Sequence, residues 1–188
     1  MKRVVIGISG ASGIIYGIRA LELLRGLADV ETHAIISPSA FLTAQTEVDM
    51  TADEIRAIAD VVHPFKDVGA AVSSGSFRAL GMLVAPCSIK TLSGIASSYN
   101  DQLIVRAADV CLKERRRLVL MLRETPLHAG HIDLMAQATR AGAIIMPPVP
   151  AFYARPESLD DMVTHSVGRA LDLLDLDVGA VRRWKDEP

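Results

Sequence analysis

The sequence predicts an α/β protein, a parallel sheet covered by helices on both faces. Three observations carry this. Short apolar, β-branched runs alternate along the chain with segments of helical periodicity. The chain opens with an apolar run, Val4-Val5-Ile6, that enters "GISGASGIIYG" (7–17), a glycine turn leading into a helical pattern. Its 188 residues, 50% of them apolar, suffice for one proper core, with no repeat and no low-complexity linker.

The elements follow in order. Val4–Ser9 reads as the first strand and Gly13–Gly26 as a helix, then Thr32–Ile36 as a strand and Pro38–Thr46 as a helix. "TADE" (51–54) is a capping box, Thr51 accepting from an early helix N–H while Glu54 reaches back. "DVGAAVSSGS" (67–76) has neither period and is expected as a mobile loop. Leu80–Ala85 reads as a strand, Ser88–Ser97 as a helix, and Asn100 as the cap of a helix to Leu112. "RLVLML" (117–122) is a strand, 131–140 helical, and Ala143–Met146 a short strand. "PPVPAFYARP" (147–156) is irregular, because prolines remove donors and restrict their predecessors. Ser158 opens a last helix through Leu174. Residues 1–188 read as one domain, with a C-terminal tail from about 175.

Composition excludes several classes. The net charge of −2 gives no bias toward nucleic acid, and aromatics at 4% are too few for a base-stacking platform. Mean hydropathy is positive, +0.29, yet no uncharged apolar run approaches a membrane span. The excess apolar content points to surface buried between subunits. Two cysteines, Cys87 and Cys111, fit a reducing compartment, and a cytoplasmic location is expected.

In parallel sheets of this kind ligands bind beyond the carboxyl ends of the strands, so loops 9–13, 37–39, 86–91, 123–127 and 147–155 are the informative ones. The first, Ser9-Gly10-Ala11-Ser12-Gly13, lets the backbone approach an anion at a helix start. It is neither G-x-G-x-x-G nor a Walker loop. "APCSIKTLSGIA" (85–96) sets Ser88, Thr91 and Ser93 at a second helix start, and the pair of loops favours a phosphate-bearing ligand with a polar ring, such as FMN. Cys87 lacks a local base and reads as a small buried residue. "LRETPL" (122–127) places Arg123 to bind phosphate and Glu124 to exchange a proton with it, unless the two are merely a surface ion pair. His128 and His131 have only Asp133 near them, too few ligands for a metal. "KERRR" (113–117) reads as a solvated helix end.

These loops, with "GISGASGIIYGIRALELL", "RAADVCLKERRRLVLMLRETPL", "GAIIMPPVPAFYARPESLDDMV" and "GRALDLL", resemble the flavin prenyltransferases of the UbiX family over nearly the whole chain. The resemblance implies a Rossmann-like, flavodoxin-type αβα fold, a homododecamer, FMN bound between subunits and no metal. The implied activity joins a dimethylallyl group from dimethylallyl phosphate to N5 and C6 of reduced FMN, for a UbiD-type decarboxylase. By position it assigns Gly10, Ala11, Ser12, Ser37, Ser88, Ile89, Lys90, Thr91 and Arg123 to FMN. Lys113, Tyr153 and Arg169 fall to dimethylallyl phosphate. Ser12 and Glu47 would assist proton removal from the flavin, and Glu124 would be the acid/base at the leaving phosphate. Trp184 matches the family's tail tryptophan, which closes near the site. Leu134 and Pro38 depart from the family pattern, without touching the phosphate donors.

Two other readings stand beside this one. A non-catalytic FMN-binding subunit of an aromatic acid decarboxylase complex has no use for a second phosphate site, whereas Glu47, Lys113, Glu124, Tyr153 and Arg169 are all present. A flavin-dependent cysteine decarboxylase carries an early catalytic His and a Met-Asn clamp, whereas the first glycine loop here has Ser12 and no His, and no Met-Asn pair occurs.

Overall fold

A computed structural model describes residues 1–185. Six parallel strands form one sheet in the order β3-β2-β1-β4-β5-β6. They are β1 (Lys2–Ile8), β2 (Val30–Ile36), β3 (Val61–His63), β4 (Gly81–Cys87), β5 (Arg117–Leu122) and β6 (Ile144–Ile145). Without the three-residue edge strand β3, the order is that of the flavodoxin-type sheet. The helices are α1 (Ile14–Arg25), α2 (Pro38–Glu47), α3 (Ala52–Arg56), α4 (Ile89–Ala96), α5 (Leu103–Lys113), α6 (Ala129–Ala141) and α7 (Leu159–Asp172).

The central strands β1, β4 and β5 are buried on both faces over 4–8, 81–87 and 118–122, so these runs are free of charged residues and alternate only in which helical layer they meet. Val4, Ile6 and Ile8 of β1 join Leu83 and Ala85 of β4 and Val119 and Met121 of β5, under α1, α2 and α7. Val5, Met82, Val84, Leu118 and Leu120 face the other way, under α4 and α5. In β4 the register shifts between Val84 and Cys87, so Cys87 points into the α4–α5 layer, where odd-numbered Leu83 and Ala85 do not. No helix among the described residues is long and apolar enough to cross a membrane.

Several expectations need correction. Asn100 does not cap a helix: Gln102 is the N-cap of α5, and the Asn100 amide instead donates to Asp109 at 3.1 Å. Loop 67–76 contains a 3₁₀ turn at Ala71–Ser73, buries Val72, and is tied down by Arg116, whose guanidinium donates to the carbonyls of Gly75 (2.7 Å) and Phe77 (2.6 Å). The "KERRR" run is therefore no uniform solvated helix end. Arg115 turns left-handed at φ 57°, Arg116 holds the loop, and Arg117 opens β5 and reaches the Leu173 carbonyl. The capping box at Thr51 and Glu54 is present in full.

Strand β3 has no counterpart in the sequence reading. Asp60, just before it, accepts from both the N–H and the hydroxyl of Thr32 at 2.8 Å. His33 Nδ1 then lies 3.0 Å from His63 Nε2, with Phe77 edge-on to the His33 ring. Burial pulls His33 below the ordinary imidazole value, although Glu31 and Asp60 oppose this and Arg3 adds to it. His63 is lowered by burial and then by His33, against Asp67. The unfolded chain binds protons near pH 6.5 where the folded pair resists them, so stability rises with pH across that window. It is complete above about pH 6.5 and is lost as pH falls through the lowered values. Melting temperatures of the wild type should therefore fall more steeply below pH 6.5 than those of His63→Gln. Parallel curves would remove the pair from the acid response.

Candidate active site

Loops after β1, β2, β4 and β5 meet at one sheet edge, where the strand order reverses between β1 and β4. Ser9 joins two of them, its buried hydroxyl donating to the Pro86 carbonyl and accepting from the Ser88 N–H, both at 2.8 Å. Ser88 caps α4, accepting from the Thr91 N–H (3.3 Å) and donating to the Thr91 hydroxyl (3.1 Å). Ile89 and Lys90 form the first turn of α4, with Lys90 exposed. Ser37 caps α2 through the Ala40 N–H at 3.1 Å, and its hydroxyl lies 3.0 Å from that of Ser39. Gly10 packs so close to α2 that a Cβ there would meet the Ser39 side chain at 2.3 Å. The adjoining Ala11 is half-buried.

The start of α1 departs from the expected anion cradle. Gly13, left-handed at φ 92°, offers no capping side chain, and Glu47 from the end of α2 takes that role. One Glu47 oxygen accepts from the N–H groups of Gly13 (2.7 Å) and Ile14 (3.1 Å), and the Ser12 hydroxyl bonds to the same carboxylate. The protein's own carboxylate thus occupies the helix start that glycine spacing offers to a phosphate. Partial burial would raise Glu47. Ser12, the two N–H groups and the nearby Arg123 charge more than offset it and hold the group below the usual carboxylate value. Arg123 also acts on Tyr16, whose hydroxyl burial pushes up. The Arg123 N–H donates to the Cys87 carbonyl at 2.9 Å, fixing the β5 loop beside the β4 loop.

The remaining predicted residues divide. Glu124 follows Arg123, is exposed, and accepts from the Thr125 N–H at 3.0 Å. Lys113 ends α5 in an ion pair with Glu114 at 2.5 Å, just before β5 begins. Arg123 follows the other end of that strand, so the length of β5, roughly 20 Å, separates the two within one chain. Tyr153 stands in a short 3₁₀ turn, edge-on to His165 and to Trp184 at centroid distances of 5.8 and 5.4 Å. Arg169 pairs with Asp172 at 2.5 Å near the end of α7. One chain therefore gathers Ser12, Ser37, Glu47, Ser88, Thr91 and Arg123, and leaves Lys113 at the opposite sheet edge, together with Arg169, because the end of α7 packs at the start of β5 through Arg117 on the Leu173 carbonyl and Asp175.

A family profile described as Flavoprotein matches residues 1–170. Flavin prenyltransferase UbiX of Escherichia coli strain K12 is 59% identical over 172 residues, 92% of this chain and 91% of that protein. The chain belongs to the flavoprotein family, and within it to the UbiX flavin prenyltransferases. Among solved structures, AnUbiX (PadA1) in complex with FMN and dimethylallyl pyrophosphate superposes with a TM-score of 0.96 at 52% identity, covering 100% of this chain and 99% of that one. A dodecameric FMN-dependent UbiX-like decarboxylase from Escherichia coli O157:H7 gives 0.94 at 45%, covering 97% and 99%.

For a member of the UbiX family, the donor set suits FMN. A phosphate finds hydroxyl-capped helix starts at Ser37 and Ser88, and a guanidinium at Arg123. Cys87 is buried, with its thiol pushed up to about 12, and so takes no nucleophilic part. His128 caps α6, its Nδ1 accepting from the Gly130 N–H at 3.0 Å, with the His131 ring 3.7 Å away. Ser9 is the site residue that loop reading passed over, since its work is to bind two loops to each other. Its signal lies in the position directly after a buried strand, where a hydroxyl has only backbone to bond.

Proposed function

We propose that the protein joins a dimethylallyl group from dimethylallyl phosphate to N5 and C6 of reduced FMN, giving prenylated FMN for a UbiD-type decarboxylase. The observation that carries this is the Ser12–Glu47–Arg123 cluster, which sets a proton acceptor and a cation beside hydroxyl-capped helix starts at the switch point. AnUbiX (PadA1), crystallised with FMN and dimethylallyl pyrophosphate, lends support over the full chain length.

FMN would be held by Gly10, Ala11, Ser12, Ser37, Ser88, Ile89, Lys90, Thr91 and Arg123, and reduced FMN supplies the nucleophilic N5 and C6. Lys113, Arg123, Tyr153 and Arg169 receive the negative charge on the departing phosphate as the allylic C–O bond breaks, which takes the place of a metal ion. Glu124 exchanges a proton with that phosphate. Glu47, held as a carboxylate, accepts through Ser12 the proton displaced when the new bond forms. Stacking of the allylic group on the reduced flavin would keep water from the allylic carbon.

Lys113 and Arg169 stand at the far end of β5 from Arg123 and reach such a site from another copy of the chain, which favours a homo-oligomer, and the dodecameric UbiX-like relative lends support to twelve copies. Exposed apolar side chains on different elements, Leu42, Ile132, Val149, Phe152 and Leu159, agree with surface buried between copies. Two free, buried cysteines suit the reducing cytoplasm.

The deciding experiment mixes protein, reduced FMN and dimethylallyl phosphate without oxygen and weighs the extracted flavin. A gain of one C5 unit is expected. Unmodified FMN on folded protein would favour a binding subunit instead. Arg169→Ala is expected to raise the KM for dimethylallyl phosphate about 10- to 100-fold, the worth of a hydrogen bond to a charged group, with FMN affinity unchanged. A large loss of FMN would assign Arg169 to the flavin phosphate.

A further inference from the structure

Residues 180–184 lie back along one side of α7. His165, Gly168 and Asp172 recur at the spacing of a single helix face, and each meets this segment. The buried His165 lies with its Nε2 3.2 Å from the Arg182 carbonyl, so Nε2 carries the proton and donates. A Cβ at Gly168 would meet Val181 Cγ2 at 2.7 Å. Asp172 accepts from Arg183 at 2.9 Å and from Arg169 at 2.5 Å. The His165 ring, in turn, stands edge-on to Tyr153, and Trp184 meets Tyr153 at 90°. The Arg182 guanidinium closes the circuit on the Ala154 carbonyl at 3.4 Å, within the turn that carries Tyr153.

We infer that His165 is a positioning residue for the prenyl-phosphate side of the site. It pins the C-terminal strap to α7 through Arg182 and, with the same ring, sets the Tyr153 side chain against Trp184. The strap and Tyr153 then take up their places together. The inference rests on the reading that Tyr153 and Arg169 receive the donor phosphate, since only then does fixing Tyr153 bear on turnover. A ring that merely filled space would be replaced by another apolar group without consequence for the donor. A ring that donates to the strap is replaced only by a donor of similar reach.

The chain has a single tryptophan, Trp184, so its fluorescence anisotropy reports the strap alone. In the full-length protein without added flavin, His165→Leu is expected to lower that anisotropy. It should also raise the KM for dimethylallyl phosphate about tenfold, the loss of one hydrogen bond with its packing, while kcat and FMN affinity hold. His165→Gln, whose amide N–H still reaches the Arg182 carbonyl, is expected to restore both readings toward wild type. Gly168→Val, which leaves His165 intact but crowds Val181, should reproduce the leucine signature. Unchanged anisotropy in His165→Leu overturns the strap, whatever the flavin chemistry does. Lowered anisotropy with an unchanged KM overturns the positioning of Tyr153, and an equal loss of FMN affinity shows general damage instead. If wild-type protein leaves FMN unmodified, the prenyltransferase reading fails, and anisotropy still decides the strap.

Discussion

Glu124→Gln is expected to bind FMN as tightly as the wild type and to lose turnover by about 10²- to 10⁴-fold, the range for removing a positioned general acid–base group. The change is nearly isosteric. The carboxylate is exposed and its recorded protein contact is the neighbouring Thr125 N–H, a bond the glutamine carbonyl oxygen also accepts, so the fold has little to lose. The lost property is proton exchange, since an amide does not give or take a proton at neutral pH. Single-turnover conversion of reduced FMN, followed by the mass of the extracted flavin, isolates the bond-forming steps from product release. Full conversion at the wild-type rate would remove Glu124 from the proton role and leave Arg123 as the working member of the pair. A fall in FMN affinity of similar size would make Glu124 a flavin residue.

Which parts of the molecule are legible in the sequence follows from the range of the interactions that form them. Buried strands such as β1 and β5 announce themselves, because covering a sheet on both faces demands an unbroken apolar run past their exposed first residues. Helix starts at Thr51, Ser88 and Ser158 are equally plain, since each cap bonds within three residues. β3 is hidden because three residues carry no period, and what holds its start in place, Asp60 on Thr32, is 28 residues away. Asn100 misleads for the same reason: its residue type suits a cap, while Asp109 one helix face away offers a better partner. At the site, the hydroxyl caps and Arg123 follow from local pattern. The Glu47 carboxylate on α1 does not, because 33 residues separate it from Ile14 and no motif within the glycine loop predicts a remote acid as its cap. Resemblance singled out Glu47, and the geometry shows what holds it: bonds to a helix start and to Ser12 keep its carboxyl below the usual value, the charged form that the proposed proton-accepting role requires.

The second large effect concerns the two ends of β5. Lys113→Ala and Arg123→Ala are each expected to abolish most prenyl transfer alone, since each removes a full positive charge from the departing phosphate. Co-expressed in equal amounts, the two variants should regain activity. Within one chain Lys113 precedes β5 and Arg123 follows it, so a site that uses both takes them from different copies. In a mixed oligomer some sites then draw Arg123 from a Lys113→Ala chain and Lys113 from an Arg123→Ala chain. Random assembly makes about one site in four whole, so recovery to roughly a quarter of wild-type activity is expected. Recovery must also appear only when the chains assemble together. Purified variants mixed after assembly should stay inactive for as long as subunits do not exchange, which separates shared sites from a diffusible product. If co-assembled chains remain as inactive as either variant, Lys113 acts on its own chain or not at all. The ion pair it forms with Glu114 is then its whole role, and Tyr153, Arg123 and Arg169 must receive the phosphate without it.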